Sequence, residues 1–321
     1  MKKYSVILGN LGNTRDRYCS NYKPCINSEK MLKNAAAIKN IQGIELVGTW
    51  DVSPGNVKQI KKALKDSDLS CVSIIPDIFS EQKWKFGSFS SKDKKIRNDA
   101  ANTILQTCEM AYELDCPLLN IWPGQDGYDY FFQADFSNQR TWLTEGIFYC
   151  ADRNPKLRFS LEYKPKEPRT HSFLSRMADT LLICIQTGLD NVGVTMDTGH
   201  SFVAGENLAE AAVMAQSAGN KLFHLHFNDN YKTWDDDMIT GSVHTSDFLE
   251  LCYWLDKSEY TGWYSMDQYP YRENAKEALE ESISWLNFFH AKLKTKKKLI
   301  DSVIRKDNAA ASSKAIREIL K

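Results

Sequence analysis

The sequence predicts an α/β fold, a single (β/α)8 TIM barrel with a C-terminal helical extension. Three observations predict it. Short β-rich runs alternate with longer helical stretches from end to end, as parallel βαβ units do. Eight such runs in 321 residues suit a closed barrel better than an open sheet. Val72–Ile75 and Leu118–Trp122 are almost continuously apolar, as expected of strands covered by helices.

The first four strands are expected at Tyr4–Gly9, Gly43–Gly48, Leu69–Pro76 and Pro117–Trp122. The other four are expected at Lys156–Lys164, Val192–Asp197, Lys221–Asn228 and Gly262–Tyr269. Between them apolar residues recur at helical period, for example in Met31–Ile38, Ile96–Leu114, Phe173–Gln186, Leu208–Ala218, Asp247–Leu255 and Glu273–Phe289. The tail differs, with a lysine-rich patch at Lys292–Lys298 and a weakly amphipathic helix over Ser312–Leu320. Residues 1–291 are therefore expected to form the barrel, and 292–321 a helical tail packed on a neighbouring subunit.

Composition excludes several classes. Acidic and basic residues balance at 41 each, so no net field attracts a polyanion, which argues against nucleic acid as a partner. No apolar stretch approaches the roughly 20 residues a membrane span needs. The run after Lys2 and Lys3 breaks at Gly9, too early for a signal-peptide core. The eight cysteines are scattered without a CxxC pair, as reduced thiols of a cytoplasmic protein would be.

Polar residues collect where the strands are expected to end, and in a barrel those ends share one mouth. The fifth strand ends in Glu162–Tyr163–Lys164, with Glu162 and Lys164 on one face. The sixth ends in Asp197, the seventh in His224–Leu225–His226, and the eighth contains Asp267. Oxygen ligands with an occasional imidazole suit a hard or borderline divalent cation, so Glu162, Asp197, His226 and Asp267 form a candidate metal set. His224, one layer deeper, is expected to be a hydrogen-bonded core histidine. His200, three residues past Asp197, and Asp235 and Asp237 in the loop after the seventh strand, could build a second, more open cation site with Glu162 as the bridge.

At these residues the sequence resembles the xylose-isomerase-like barrel superfamily, and within it the sugar isomerases closest to L-rhamnose isomerase. The likeness is carried by IWPGQDG (Ile121–Gly127), LEYKPKEPR (Leu161–Arg169) and MDTGHSFVAGEN (Met196–Asn207). HFNDNYKTWDDD (His226–Asp237) and MDQYPYREN (Met266–Asn274) complete it, and it extends from about Tyr4 to Phe289. The resemblance implies structural-metal ligands at Glu162, Asp197, His226 and Asp267, and a catalytic metal on Glu162, His200, Asp235 and Asp237. It implies Mn2+ as the cation, with Mg2+ or Co2+ as alternatives, one or two per subunit of a homo-oligomer, a dimer or a tetramer. Lys164 would contact a substrate oxygen and Trp122 would wall the sugar site. No histidine precedes His171, so the early-strand histidine of the rhamnose isomerases is absent.

The reaction expected is aldose–ketose interconversion of an unphosphorylated monosaccharide by a two-metal mechanism. Glu162, Lys164, Asp235 and Asp237 would be catalytic, and Trp122, Lys164, His200 and Phe86, with Phe89 nearby, would bind substrate. Alternatives are a ketose 3-epimerase, an inosose-type dehydratase and a non-catalytic sugar-binding barrel. Asp267 is short for an epimerase's second carboxylate, and a one-metal site leaves Asp235 and Asp237 without a task. Substrate choice is expected to lie in Asp16–Lys23, Trp50–Val52 and Phe79–Phe89.

Overall fold

The computed structural model describes residues 2–12 and 18–321. Its strands are β1 (Lys3–Ile7), β2 (Ile41–Val47), β3 (Ser70–Ile75), β4 (Leu118–Ile121) and β5 (Gly127–Tyr128). They continue with β6 (Arg158–Glu162), β7 (His171–Ser172), β8 (Val192–Asp197), β9 (Leu222–Phe227) and β10 (Trp263–Met266). Eight of them close a parallel barrel in the order β1-β10-β9-β8-β6-β4-β3-β2, while β5 and β7 pair antiparallel outside it. The helices are α1 (Ser28–Ala36), α2 (Val57–Asp66), α3 (Lys94–Glu113), α4 (Phe136–Asp152) and α5 (Met177–Thr187). After these come α6 (Thr198–Val203), α7 (Leu208–Ser217), α8 (Thr245–Lys257), α9 (Ala275–Lys306) and α10 (Ala309–Ile319). The barrel expected from the sequence is present, with the C-terminal helices following it.

Local chemistry sets the boundaries. Asn27, Asp93, Asp135, Asp197, Asn207, Asn274 and Asn308 each accept a hydrogen bond from a backbone N–H in the first turn of the helix they precede. The fifth barrel strand ends at Glu162, short of the expected Lys164, because the Lys164 N–H bonds Leu174 O at 3.0 Å instead of a neighbouring strand. The helix expected from Phe173 begins at Met177. His171–Ser172 is taken by the β5–β7 pairing, and the Phe173 N–H bonds Asp126 O at 3.0 Å. The eighth barrel strand stops at Met266 rather than Tyr269, and the Gln268 N–H turns to Asn10 Oδ1 at 2.9 Å.

Side chains alternate along each strand, so residues two apart share the barrel interior. The layer at the C-terminal mouth holds Ile7, Val47, Ile75, Trp122, Glu162, Asp197, His226 and Asp267. Two residues below each lie Ser5, Glu45, Ser73, Asn120, Ser160, Thr195, His224 and Ser265, every one buried. Barrel interiors are ordinarily filled by branched apolar side chains, yet this layer is polar on all eight strands. Hydrogen bonds cross it: Thr195 Oγ1 donates to Ser160 Oγ at 2.6 Å, and Asn120 Nδ2 donates to Glu162 Oε2 at 2.7 Å. The apolar core lies instead between strands and helices, with Phe159, Leu161, Phe227, Phe248, Leu286 and Phe289 fully buried.

Helix α9 runs unbroken through the lysine-rich patch, across the expected boundary after residue 291. Helix α10 folds back against it and buries Ala315 and Ile319. Among the described residues no helix is long and apolar enough to cross a membrane.

Candidate metal centre

Four strand ends bring the expected first set together: ligand atoms of Glu162, Asp197, His226 and Asp267 all lie within 4.8 Å of one another. His226 Nδ1 stands 3.1 Å from Asp267 Oδ2, 3.3 Å from Glu162 Oε1 and 3.8 Å from Asp197 Oδ2. The carboxylates are held from behind. Asn228 Nδ2 donates to Asp197 Oδ2 and to Asp267 O, both at 2.9 Å, and Asp197 Oδ1 caps α6 by accepting from the His200 N–H at 2.8 Å.

The second set is assembled in part. Asp197, His200 and Asp235 form a trio within the same reach, and Glu162 Oε1 is 3.4 Å from His200 Nδ1. His200 Nε2 is 3.1 Å from Asp235 Oδ2, and Lys164 Nζ pairs with that same oxygen at 2.8 Å and with Glu167 at 3.0 Å. Asp237 lines the same cavity but belongs to neither cluster. Asp237 sits in a left-handed turn with φ of 50°, and Lys164 pairs with Asp235.

The cavity, about 200 Å³, has two halves. Ile7, Val47 and Ile75 form a small apolar cluster with Phe79, apart from the main core. Trp50, Phe79 and Trp122 extend it as an edge-to-face chain with ring centroids 5.7 and 4.7 Å apart. Opposite stand Glu162, Lys164, His200, Asp235, Asp237 and Asp267. Trp122 is where the sequence places it. Phe86 is not: its side chain is 62% exposed and does not line the cavity, and Phe89 is buried with its ring against Gly146 of α4. Phe79, Trp50 and Tyr269 supply the aromatic surface instead. Of the expected specificity loops, residues 16 and 17 lie outside the described residues. His171 falls in β7. His244 and His290 bond Asp229 and Asp256 away from the site.

Sequence reasoning missed Glu45. It is fully buried, with Oε1 accepting from Ser265 and from His224 Nε2 at 2.8 Å, and Oε2 accepting from Ser73 and from His226 Nε2 at 3.3 Å. A lone acid inside the apolar run Ile44–Glu45–Leu46–Val47 was the available signal.

The electrostatics are those of a site short of positive charge. Burial, with Asp235, Asp267 and Glu162 close by, lifts the Asp197 carboxyl to about 7 against the pull of His200. Burial and then the Asp235 and Asp267 carboxylates push Asp237 well above the usual range, and burial raises Asp267. Burial opposes charging His200, but Asp197 and Asp235 outweigh it and lift the imidazole to about 9. Burial would raise Glu162 and Asp235 too, yet His226 and His200 hold Glu162 low, and Lys164 and His200 hold Asp235 low. Burial would lower Lys164, and Asp235 with Glu167 reverses that, keeping it an ammonium. Among the described residues, the Nδ1 atoms of His200 and His226 and Oδ1 of Asp235 are buried with no hydrogen-bond partner. Carboxylates and imidazoles converging this closely in a buried site fit a divalent cation.

Comparisons with known proteins agree with this architecture. A xylose isomerase of Thermus thermophilus is 29% identical over 231 residues, 70% of this chain and 59% of its own. The xylose isomerase of Thermus caldophilus is 28% identical over 229 residues, with the same coverage. The chain thus spans about three fifths of the length of these curated relatives. Solved structures share the fold. A D-tagatose 3-epimerase-like protein superposes with a TM-score of 0.68 at 21% identity, covering 91% of this chain and 99% of its own. An L-ribulose 3-epimerase gives 0.69 at 16% identity, covering 94% and 98%. The model of the family described as xylose isomerase-like TIM barrel matches residues 32–288, four fifths of the sequence, so the chain belongs to that family.

Proposed function

We propose that the chain is a divalent-metal-dependent sugar isomerase interconverting an aldose and a ketose. Glu162, Asp197, His226 and Asp267 would hold one cation, and Glu162, His200, Asp235 and Asp237 a second, with Mn2+ the first choice. The observation that carries this reading is the position of Glu162. Its Oε1 faces Nδ1 of His226 at 3.3 Å and Nδ1 of His200 at 3.4 Å, so one carboxylate joins two adjoining ligand clusters. A one-cation epimerase would leave the His200–Asp235 cluster without a task, whereas the epimerase likeness is one of fold.

Bound cations supply Lewis-acid polarisation of a carbonyl and a neighbouring hydroxyl oxygen. The chain's own side chains do the rest. Lys164, kept charged between Asp235 and Glu167, donates to the substrate oxygen on which negative charge develops. Asp235 and Asp237, lining the cavity opposite the aromatic wall, would help to take up the substrate hydroxyl proton and return it. Trp50, Phe79 and Trp122 cover the sugar's C–H face and exclude water. Among the described residues, Lys164 and His200 are the basic side chains lining the cavity, and the substrate class proposed is an unphosphorylated monosaccharide.

Incubating the Mn2+-loaded chain with a panel of ketopentoses and ketohexoses, and identifying products by chromatography, tests the proposal. An aldose product is expected. A second ketose in its place establishes the epimerase, and recovery of every sugar unchanged removes the enzymatic reading.

A further inference from the structure

We infer that Glu45, in the polar layer beneath the mouth, is a positioning residue that decides which nitrogen of His226 meets the centre. The inference rests on reading Glu162, Asp197, His226 and Asp267 as cation ligands. A carboxylate can only accept hydrogen bonds, so every group facing Glu45 must bring a hydrogen. Four groups face it from three strands: Ser73 of β3, Ser265 of β10, and His224 and His226 of β9. Two donors meet each oxygen, so the carboxylate has no room to turn.

For His226 the consequence is specific. Its Nε2, 3.3 Å from Glu45 Oε2, is the nitrogen that carries hydrogen. Its Nδ1 points the opposite way, towards Asp267, Glu162 and Asp197 at 3.1, 3.3 and 3.8 Å, and has no hydrogen-bond partner of its own. A neutral imidazole has one donor nitrogen and one acceptor nitrogen, and what bonds the first selects the second. Once a cation among those carboxylates requires a neutral ring, Glu45 keeps the hydrogen on Nε2 and leaves the Nδ1 lone pair to the centre. His224, one layer deeper, bonds Glu45 Oε1 through its own Nε2 at 2.8 Å and stands edge-on to the His226 ring. Its part is to hold the carboxylate still.

Replacing Glu45 by Gln keeps the shape and reverses the polarity on one side. The amide NH2 confronts one serine–histidine pair that already offers hydrogens, and facing His226 it drives the proton to Nδ1. Two measurements on the full chain test this. In wild type loaded with Mg2+, nitrogen-15 NMR should show His226 Nε2 protonated and Nδ1 bare. Calorimetric titration with Mn2+ should show Glu45→Gln binding weaker by about 10- to 100-fold. A bare Nε2 in wild type overturns the inference, as does a variant that binds Mn2+ as tightly as wild type. Should Glu45→Gln fail to fold, the wild-type spectrum decides. Wild type that binds neither cation sinks the ligand reading and this inference with it, whereas equal binding by the two proteins sinks this inference alone.

Discussion

Gly199, between the capping Asp197 and His200, offers a sharp test of how the centre is built. A Cβ there would lie 2.0 Å from Asn228 Oδ1 and 2.8 Å from Asp235 Oδ1. For Gly199→Ala to reach ordinary contact at 3.4 Å, the Asn228 amide must retreat by about 1.4 Å. That displacement breaks both bonds donated by Asn228 Nδ2, to the Asp197 carboxylate and to Asp267 O. The first is worth about 1.5–3 kcal/mol and the second about 1 kcal/mol. Replacing glycine by alanine in a helix returns at most about 1 kcal/mol. A net loss of about 2 kcal/mol is expected, read as a lower urea midpoint at unchanged slope for the chelator-treated chain. Asp197 also loses the donor that orients it, so Mn2+ affinity measured by calorimetry should fall by about 10- to 100-fold. A variant with wild-type midpoint and wild-type Mn2+ affinity would refute the reasoning, since the amide could then move without consequence.

Three further outcomes follow from the same geometry. Asp237→Asn should lower kcat by at least about 100-fold while leaving the thermal midpoint in place, because it removes a proton carrier from a crowd of carboxylates rather than a packed side chain; near-normal turnover with several aldoses would end the two-cation account. Trp122→Ala, which removes a ring in contact with Phe79 and near the Lys164 ammonium, should raise KM about tenfold with little change in kcat, as loss of uniform binding does. Stability should respond to pH in opposite ways with and without cation. His200, lifted from 6.5 to about 9 in the fold, stabilises fully below pH 6.5 and loses that contribution as pH rises to 9. Asp197, lifted from 3.8 to about 7, likewise favours the fold below pH 3.8 and loses its share by pH 7. Chelator-treated protein should therefore soften between pH 6.5 and 9, while the gain on adding Mn2+ should grow over that interval as ligands lose protons. Melting curves across the range check both, and a Mn2+ gain that shrinks towards pH 9 would contradict the assignment.

The parts of the site legible in the sequence share one property: they interrupt an apolar run at its end. Glu162, Asp197, His226 and Asp267 each lie within one residue of a strand's end, and once eight strands are counted a barrel brings those ends together. Glu45 obeys a different rule. It sits mid-strand, where alternation alone says only that it faces in or out, and its partners Ser73, Ser265 and His224 come from distant segments. Register across the closed sheet, invisible in one sequence, makes it intelligible. Phe86 misled for a related reason. It was expected beside Trp122 as an aromatic of the Phe79–Phe89 segment, but that loop turns Phe79 inward against Trp122 and leaves Phe86 in solvent. Of the second set only His200 and Asp235 fall in one cluster, joined there by Asp197 rather than Asp237, and the pairing of Lys164 with Asp235 was not legible in the sequence.

The layer of hydroxyls, amide, imidazole and carboxylate spanning all eight strands also constrains how the sheet can align. Sliding one strand by a single residue would exchange its inward and outward faces. At β2 that slip would put Ile44 or Leu46 opposite Ser73, Ser265 and His224, stranding their polar atoms in a dry interior. Misaligned closures are thereby penalised strand by strand, most of all around Glu45. Substitutions in this belt should accordingly be tolerated in matched sets, an acid and its donors changing together, rather than one at a time.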